Sequence, residues 1–242
     1  MQCSTKKPPR LLTMGNPKTQ KGLALGYLTV VLHFAPHTLS GFNVCPWADG
    51  CQGPCLDTAG RGGIFKKGET TNGIREARIR RTKFFFEDRA TFLAQLDKEL
   101  VAAAKKADRM GLKLAFRPNG TSDVSWETVA PETIALVGRL GGVVYDYTKN
   151  PRRMAKFLEG RFPAHYSLTF SRGATTTHYR DFLGKGNVAV VFRGTIPPTW
   201  EGVPTIDGDR SDLRFLDPRG VIVALTAKGR AKKDTGGFVV QA

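Results

Sequence analysis

Gly142-Val-Val-Tyr-Asp-Tyr147, Asn150-Pro-Arg-Arg-Met-Ala-Lys-Phe-Leu-Glu159 and Tyr166-Ser-Leu-Thr-Phe170 follow one another closely in the chain. The outer two are short apolar runs rich in Val, Tyr, Phe and Thr, residues that fit a pleated, buried surface. The middle one reads as a short helix. Two strands joined by a helical crossover must pair in parallel, and a right-handed crossover returns the chain to the same sheet.

The same alternation extends in both directions. Leu112–Phe116 and Val188–Phe192 read as strands, Pro131–Leu140 and Thr177–Leu183 as helices. Asp88–Met110 carries the clearest helical signal. Phe92, Leu93, Leu96, Leu100, Ala103, Ala104 and Ala107 recur every three or four residues and so share one face. Gly111 supplies its stop, because glycine reaches the left-handed C-cap conformation without a Cβ clash. Leu23–Phe34 is an apolar run of β-formers closed by Pro36, and Ile74–Phe86 leads into the long helix. The fold expected is α/β, a partial (β/α) barrel with five or six parallel strands. Val221–Thr226 adds a C-terminal strand, antiparallel or at the edge of the sheet, after the Pro- and Gly-broken stretch from Pro197 to Gly220. Residues 1–22, basic and Pro-containing, are expected to form an extended arm, and residues 23–242 a single α/β domain.

With 242 residues and 40% hydrophobic content the chain can fill one large core. No apolar run is long enough to cross a bilayer, and the first residues lack an apolar signal core, so a cytoplasmic protein without a membrane partner is expected. In that reducing compartment, clustered cysteines bind metal or react more often than they form disulfides. A formal charge of +16 makes nucleic acid or a small anionic ligand an expected partner. Basic residues are spread over Lys6–Lys21, Arg75–Lys83 and Lys228–Lys233, which argues against a single binding tail.

Residues 43–63 hold three of the four cysteines. Cys45, Cys51 and Cys55 are spaced C-x5-C-x3-C among Gly and Pro, in a loop able to turn three sulfurs inward. Three thiolates leave a four-coordinate centre one ligand short. For zinc the fourth would be a His or Cys3; for a [4Fe-4S] cluster it would be an open iron. His33, His37, His165 and His178 are scattered and form no second pair, which favours the iron–sulfur cluster. Three thiols buried as small hydrophobes are the competing reading, opposed by the Gly, Pro and Asp around them.

Polar groups follow successive strands: Asn119, Ser122 and Asp123, then Lys149, then Arg172, then Arg193. At the carboxyl ends of parallel strands such residues form a ligand-binding rim. Ser122 and Thr148 serve equally as helix caps, whereas Arg172 and Arg193 are poor caps and better suited to an anion. The aspartates of Asp207–Asp217 lack calcium-loop spacing and are explained by turns and pairing with Arg210, Arg214 and Arg219.

Taken together, Asn16-x-Lys18, the Cys45-Pro-x-Ala-x-x-Cys51-x-x-x-Cys55-Leu loop, Arg117-x-Asn119-Gly-Thr-Ser122-Asp123, Tyr145-Asp-Tyr-Thr-Lys149 and Asp207-Gly-Asp209 resemble the bacteriophage gene-product-eighty-eight-like family. The resemblance spans about residues 14–230 and implies a phage protein at work in the host cytoplasm. A looser likeness is to radical S-adenosylmethionine enzymes, which join a three-cysteine [4Fe-4S] loop after the first strand to a partial (β/α) barrel. Their usual spacing is C-x3-C-x2-C, unlike the spacing here. That likeness implies S-adenosylmethionine as a further cofactor. The function expected is an iron–sulfur phage protein, its open iron facing the rim; the alternative is a basic nucleic-acid-binding phage protein whose metal only staples the loop.

Overall fold

The computed structural model describes residues 10–15 and 17–241. Cys3, with residues 1–9 and 16 of the expected basic arm, lies outside them. The described part of that arm is folded: β1 (Leu12–Thr13) is followed by α1 (Pro17–Leu23). Leu11 and Leu12 are buried, and the Glu99 carboxylate accepts their backbone N–H groups at 2.9–3.1 Å, so both apolar contact and pairing hold this stretch in place.

The chain then runs through β2 (Tyr27–Leu32), α2 (Gly73–Glu87), α3 (Arg89–Arg109), β3 (Lys113–Arg117), α4 (Trp126–Val129), α5 (Pro131–Arg139), β4 (Val143–Thr148), α6 (Pro151–Leu158), β5 (Tyr166–Ser171) and β6 (Val188–Arg193). Thr177–Leu183, expected as a helix, contains a 3-10 segment at His178–Phe182. β7 (Thr199–Trp200), β8 (Val203–Asp207), β9 (Ile222–Thr226) and β10 (Val239–Gln241) complete the described elements.

All ten strands belong to one mixed sheet of order β1-β2-β3-β4-β5-β6-β9-β8-β7, with β10 added on β6. The neighbours from β2 to β8 in that order pair in parallel. Only β1 and β7 are antiparallel, one at each edge. The sheet is therefore mostly parallel, as the crossovers required, and is not closed into a barrel. The C-terminal addition differs from an antiparallel or edge strand: β9 lies inside the sheet between β6 and β8, parallel to both.

Helices cover one face. Val30, Leu32, Leu114, Phe116, Val144 and Leu168 meet Phe92, Leu96 and Leu100 of α3, Ile134 and Val137 of α5 and Met154 of α6 in one core. Each large side chain taken from water there contributes about 1.5–3 kcal/mol. Asp88 caps α3 by accepting the Thr91 N–H at 3.2 Å, and Gly111, at φ +67°, takes the left-handed turn that ends it. On the opposite face Ala115 and Tyr145 pack against Leu213, Tyr27 and Phe215. The carboxyl ends of the parallel strands are thus left at one rim, and the cysteine loop, which follows β2, arrives there.

Candidate functional site

A cavity of about 190 Å³ opens at that rim. Cys45, Cys51 and Cys55 line one side of it. Arg117, Asn119, Ser122, Asp123, Tyr147, Lys149 and Ser171 come from the ends of β3, β4 and β5, while Ala189, Val191, Leu225 and Phe238 supply apolar wall. Parallel strands end together, so residues far apart in sequence converge by topology alone.

Two carboxylates tie the cysteine loop down. Asp49 accepts the N–H and hydroxyl groups of both Thr175 and Thr176 at 2.7–3.2 Å, and its carbonyl accepts the Ala174 N–H at 3.0 Å. A Cβ at Gly173 would collide with the Asp49 carboxylate, so glycine permits the close approach. Burial works against the Asp49 charge, but the hydrogen bonds from Thr176 and Thr175 outweigh it and hold the carboxyl down at about 2. At the far end of the loop, buried Asp57 pairs with Arg75 at 2.9 Å and with Arg78, both on α2.

Cys45 and Cys55 sit in an environment that resists ionisation. Burial pushes Cys45 up to about 12; the His37 N–H, donating to its Sγ at 3.4 Å, opposes the shift, and Cys55, Asp123 and Cys51 reinforce it. Burial likewise raises Cys55 to about 11, against the Asp57 N–H at 3.5 Å and with Cys51 adding to the rise. The three are close enough to feel one another's charge. Among the described residues, no group of three His, Cys, Asp or Glu side chains is arranged as a ready-made metal site.

Asn119, Ser122, Asp123 and Lys149 are gathered at the cavity, but their polar atoms already serve the protein. The Asn119 Oδ1 accepts from Ser122 Oγ at 2.6 Å and the Val124 N–H at 3.0 Å, while its Nδ2 donates to the Val124 carbonyl and to Asp146. Asp123 accepts Thr148 Oγ1 and the Lys149 N–H, each at 2.8 Å. Lys149 Nζ donates to Ser171 Oγ at 2.7 Å and the Arg172 carbonyl at 2.8 Å. These groups shape and stiffen the wall. Arg172 and Arg193 are not brought into the lining. Arg172 donates to the Gly237 carbonyl at 2.8 Å and lies over the Tyr179 ring, and Arg193 donates to the Asp234 carbonyl, so both fasten the segment that leads into β10.

Residues that sequence reading did not single out complete the site. Arg117 donates to both oxygens of Asp212, at 2.9 and 3.1 Å, and Tyr145 donates to the same carboxylate at 3.0 Å. Asp212 was expected to serve a local turn; instead it crosses to β3 and β4. Asp209 pairs with Lys228 at the opposite side of the cavity. Phe238 closes the wall beside Lys149, whose Nζ lies 4.9 Å from its ring centre. In the sequence Arg117 was marked only by the Arg117-x-Asn119 pattern and its place at a strand end, and Phe238 carried no hint.

A family model described as gene product 88 matches residues 10–242. The chain belongs to the gene product 88 family. The match takes in both the cysteine loop and every strand of the rim, so the cavity of this gene product 88 family member lies wholly inside the matched region. No curated protein and no solved structure matches the chain. No helix among the described residues is long and apolar enough to cross a membrane.

Proposed function

We propose that this bacteriophage protein binds an iron–sulfur cluster through Cys45, Cys51 and Cys55, [4Fe-4S] by donor count, with one iron left open to a small anionic ligand in the cavity. The observation that carries the reading is that three thiols from one loop line a single cavity at the carboxyl ends of parallel strands. That rim is where ligands of open α/β sheets bind. Cys45 and Cys55, half-buried thiols held neutral, are donors that a cation would ionise, because a metal supplies the positive charge that ionisation needs. Lys149, Lys228 and Arg117 line the same space and offset the negative charge of thiolates and sulfides.

Cys45, Cys51 and Cys55 would hold such a cluster, which, once reduced by an external electron donor, would supply one-electron chemistry to a ligand in the cavity. The chain's own residues would position that ligand: Arg117 from the floor, the Asn119–Asp123 turn from one wall, and Ala189, Val191, Leu225 and Phe238 by excluding water. S-adenosylmethionine, through its amino-acid carboxylate, is the ligand that the looser likeness to radical enzymes implies.

Expression and purification without oxygen, followed by iron and sulfide analysis and a visible spectrum, tests the reading. Brown protein whose iron is lost in Cys45→Ser, Cys51→Ser and Cys55→Ser variants is expected. Colourless protein carrying zinc or no metal would overturn it. Calorimetric titration of the loaded protein with S-adenosylmethionine then tests the ligand separately.

A further inference from the structure

Gly229–Lys233 forms a short 3-10 turn packed against the Leu56–Thr58 turn that closes the cysteine loop, and Lys228 and Ala231 from this region line the cavity. Arg230, Lys232 and Lys233 face solvent there. Among the described residues, none of the three has a carboxylate partner. Beside the same mouth the cysteine loop exposes Trp47, 36% accessible and adjacent to the cavity-lining Ala48, and Leu56, 49% accessible.

The cavity continues the same chemistry inward. Its far wall of Ala189, Val191, Leu225 and Phe238 is apolar, suited to the face of a flat ring. At its floor Arg117 keeps one donor, Nε, buried without an acceptor, although its Nη1 holds Asp212. A base carbonyl or ring nitrogen would satisfy such a donor. Cations outside, an aromatic platform at the lip and an apolar slot with one donor inside match a strand whose backbone is held electrostatically while one unit is turned inward.

We propose that the substrate of this site is a single-stranded nucleic acid, its phosphates on Arg230, Lys232 and Lys233, one base stacked on Trp47 and its neighbour in the cavity. This rests on reading the cavity as the place where the cluster-bound ligand reacts. The strand also accounts for the net charge of +16 in a way that a small anion alone does not.

The test is fluorescence anisotropy of a short labelled DNA or RNA oligonucleotide with the full chain over a salt series. For single strands the logarithm of affinity falls with the logarithm of salt by about 0.7 per phosphate neutralised. The combined Arg230→Gln, Lys232→Gln, Lys233→Gln variant should flatten that slope by about two, and Trp47→Ala should weaken binding roughly tenfold with the slope unchanged. Absent or salt-insensitive binding, an unchanged slope in the triple variant, or equal affinity for heparin or polyglutamate would overturn the proposal. Metal content measured on the same samples separates the two readings. Protein that takes up iron yet ignores the oligonucleotide sinks only this inference, whereas protein that binds the strand but never iron sinks only the cluster.

Discussion

Thr176 donates both its backbone N–H and its hydroxyl to the carboxylate of Asp49, each at 2.8 Å, and so joins the middle of the cysteine loop to the loop after β5. Thr175 repeats the pattern. The two residues are more than a hundred positions apart, and their contact fixes where Cys45 and Cys51, on either side of Asp49, can point.

Replacing Asp49 by Asn should therefore loosen the loop. Because the carboxylate is partly open to solvent, the expected loss is only about 1 kcal/mol in urea unfolding at neutral pH. Its folded pKa lies below the ordinary 3.8, at about 2, so its contribution is present above pH 3.8 and fades as pH falls toward 2. The stability gap between wild type and Asp49→Asn should shrink over that window. A gap that stays constant would mean the charge is not what holds the loop.

Asp57 is the firmer anchor, with a side chain only 3% exposed between Arg75 and Arg78. Asp57→Ala leaves two half-buried guanidinium groups without their carboxylate and should cost about 3 kcal/mol in the same measurement. Asp57→Asn should recover part of the loss. Equal stability of all three proteins would contradict the pairing.

The thiols give a pH prediction of opposite sign. Cys45 and Cys55 are held above the ordinary 9.0, at about 12 and 11, so neutral thiols favour the folded state below pH 9 and that advantage is lost as pH rises toward 11 and 12. In metal-free protein both should react slowly with iodoacetamide at pH 8, and faster as pH climbs, as read by mass spectrometry of alkylated peptides. Metal uptake should release protons, so affinity should increase with pH. Rapid alkylation of Cys45 at pH 8 in folded protein would refute the buried, protonated state.

Arg172 and Arg193 each donate to a backbone carbonyl of the segment that leads into β10. Arg172→Ala and Arg193→Ala should raise hydrogen exchange at Val239–Gln241 and leave the metal content untouched. If exchange there stays slow while ligand affinity drops, the two arginines belong to the rim after all.

Much of the architecture could be read from local pattern. The stripe from Phe92 to Ala107 defined α3 almost to the residue, and the runs at Val143, Tyr166 and Val188 marked parallel strands because each is short, β-branched or aromatic, and separated by a helix. Convergence of the cysteines with Asn119, Ser122, Asp123 and Lys149 followed from the same parallel order. What escaped was set by contacts that leave no local trace. β10 is three residues long and gains its place from register with Val191–Arg193; the strand role of β8 depends on lying beside β9. Asp212 looked like a turn residue until the fold set it opposite Arg117 and Tyr145. Arg172 and Arg193 were expected to bind an anion, yet backbone carbonyls of a distant segment took their protons first.

Among the cavity's lining residues Phe238 leaves the ribosome last, long after Cys45, Cys51 and Cys55. Until Val239–Gln241 zip onto β6, the sulfur-bearing chamber lacks its final panel and stands at its widest. The chamber is thus finished by a segment synthesised long after the loop that supplies its sulfurs.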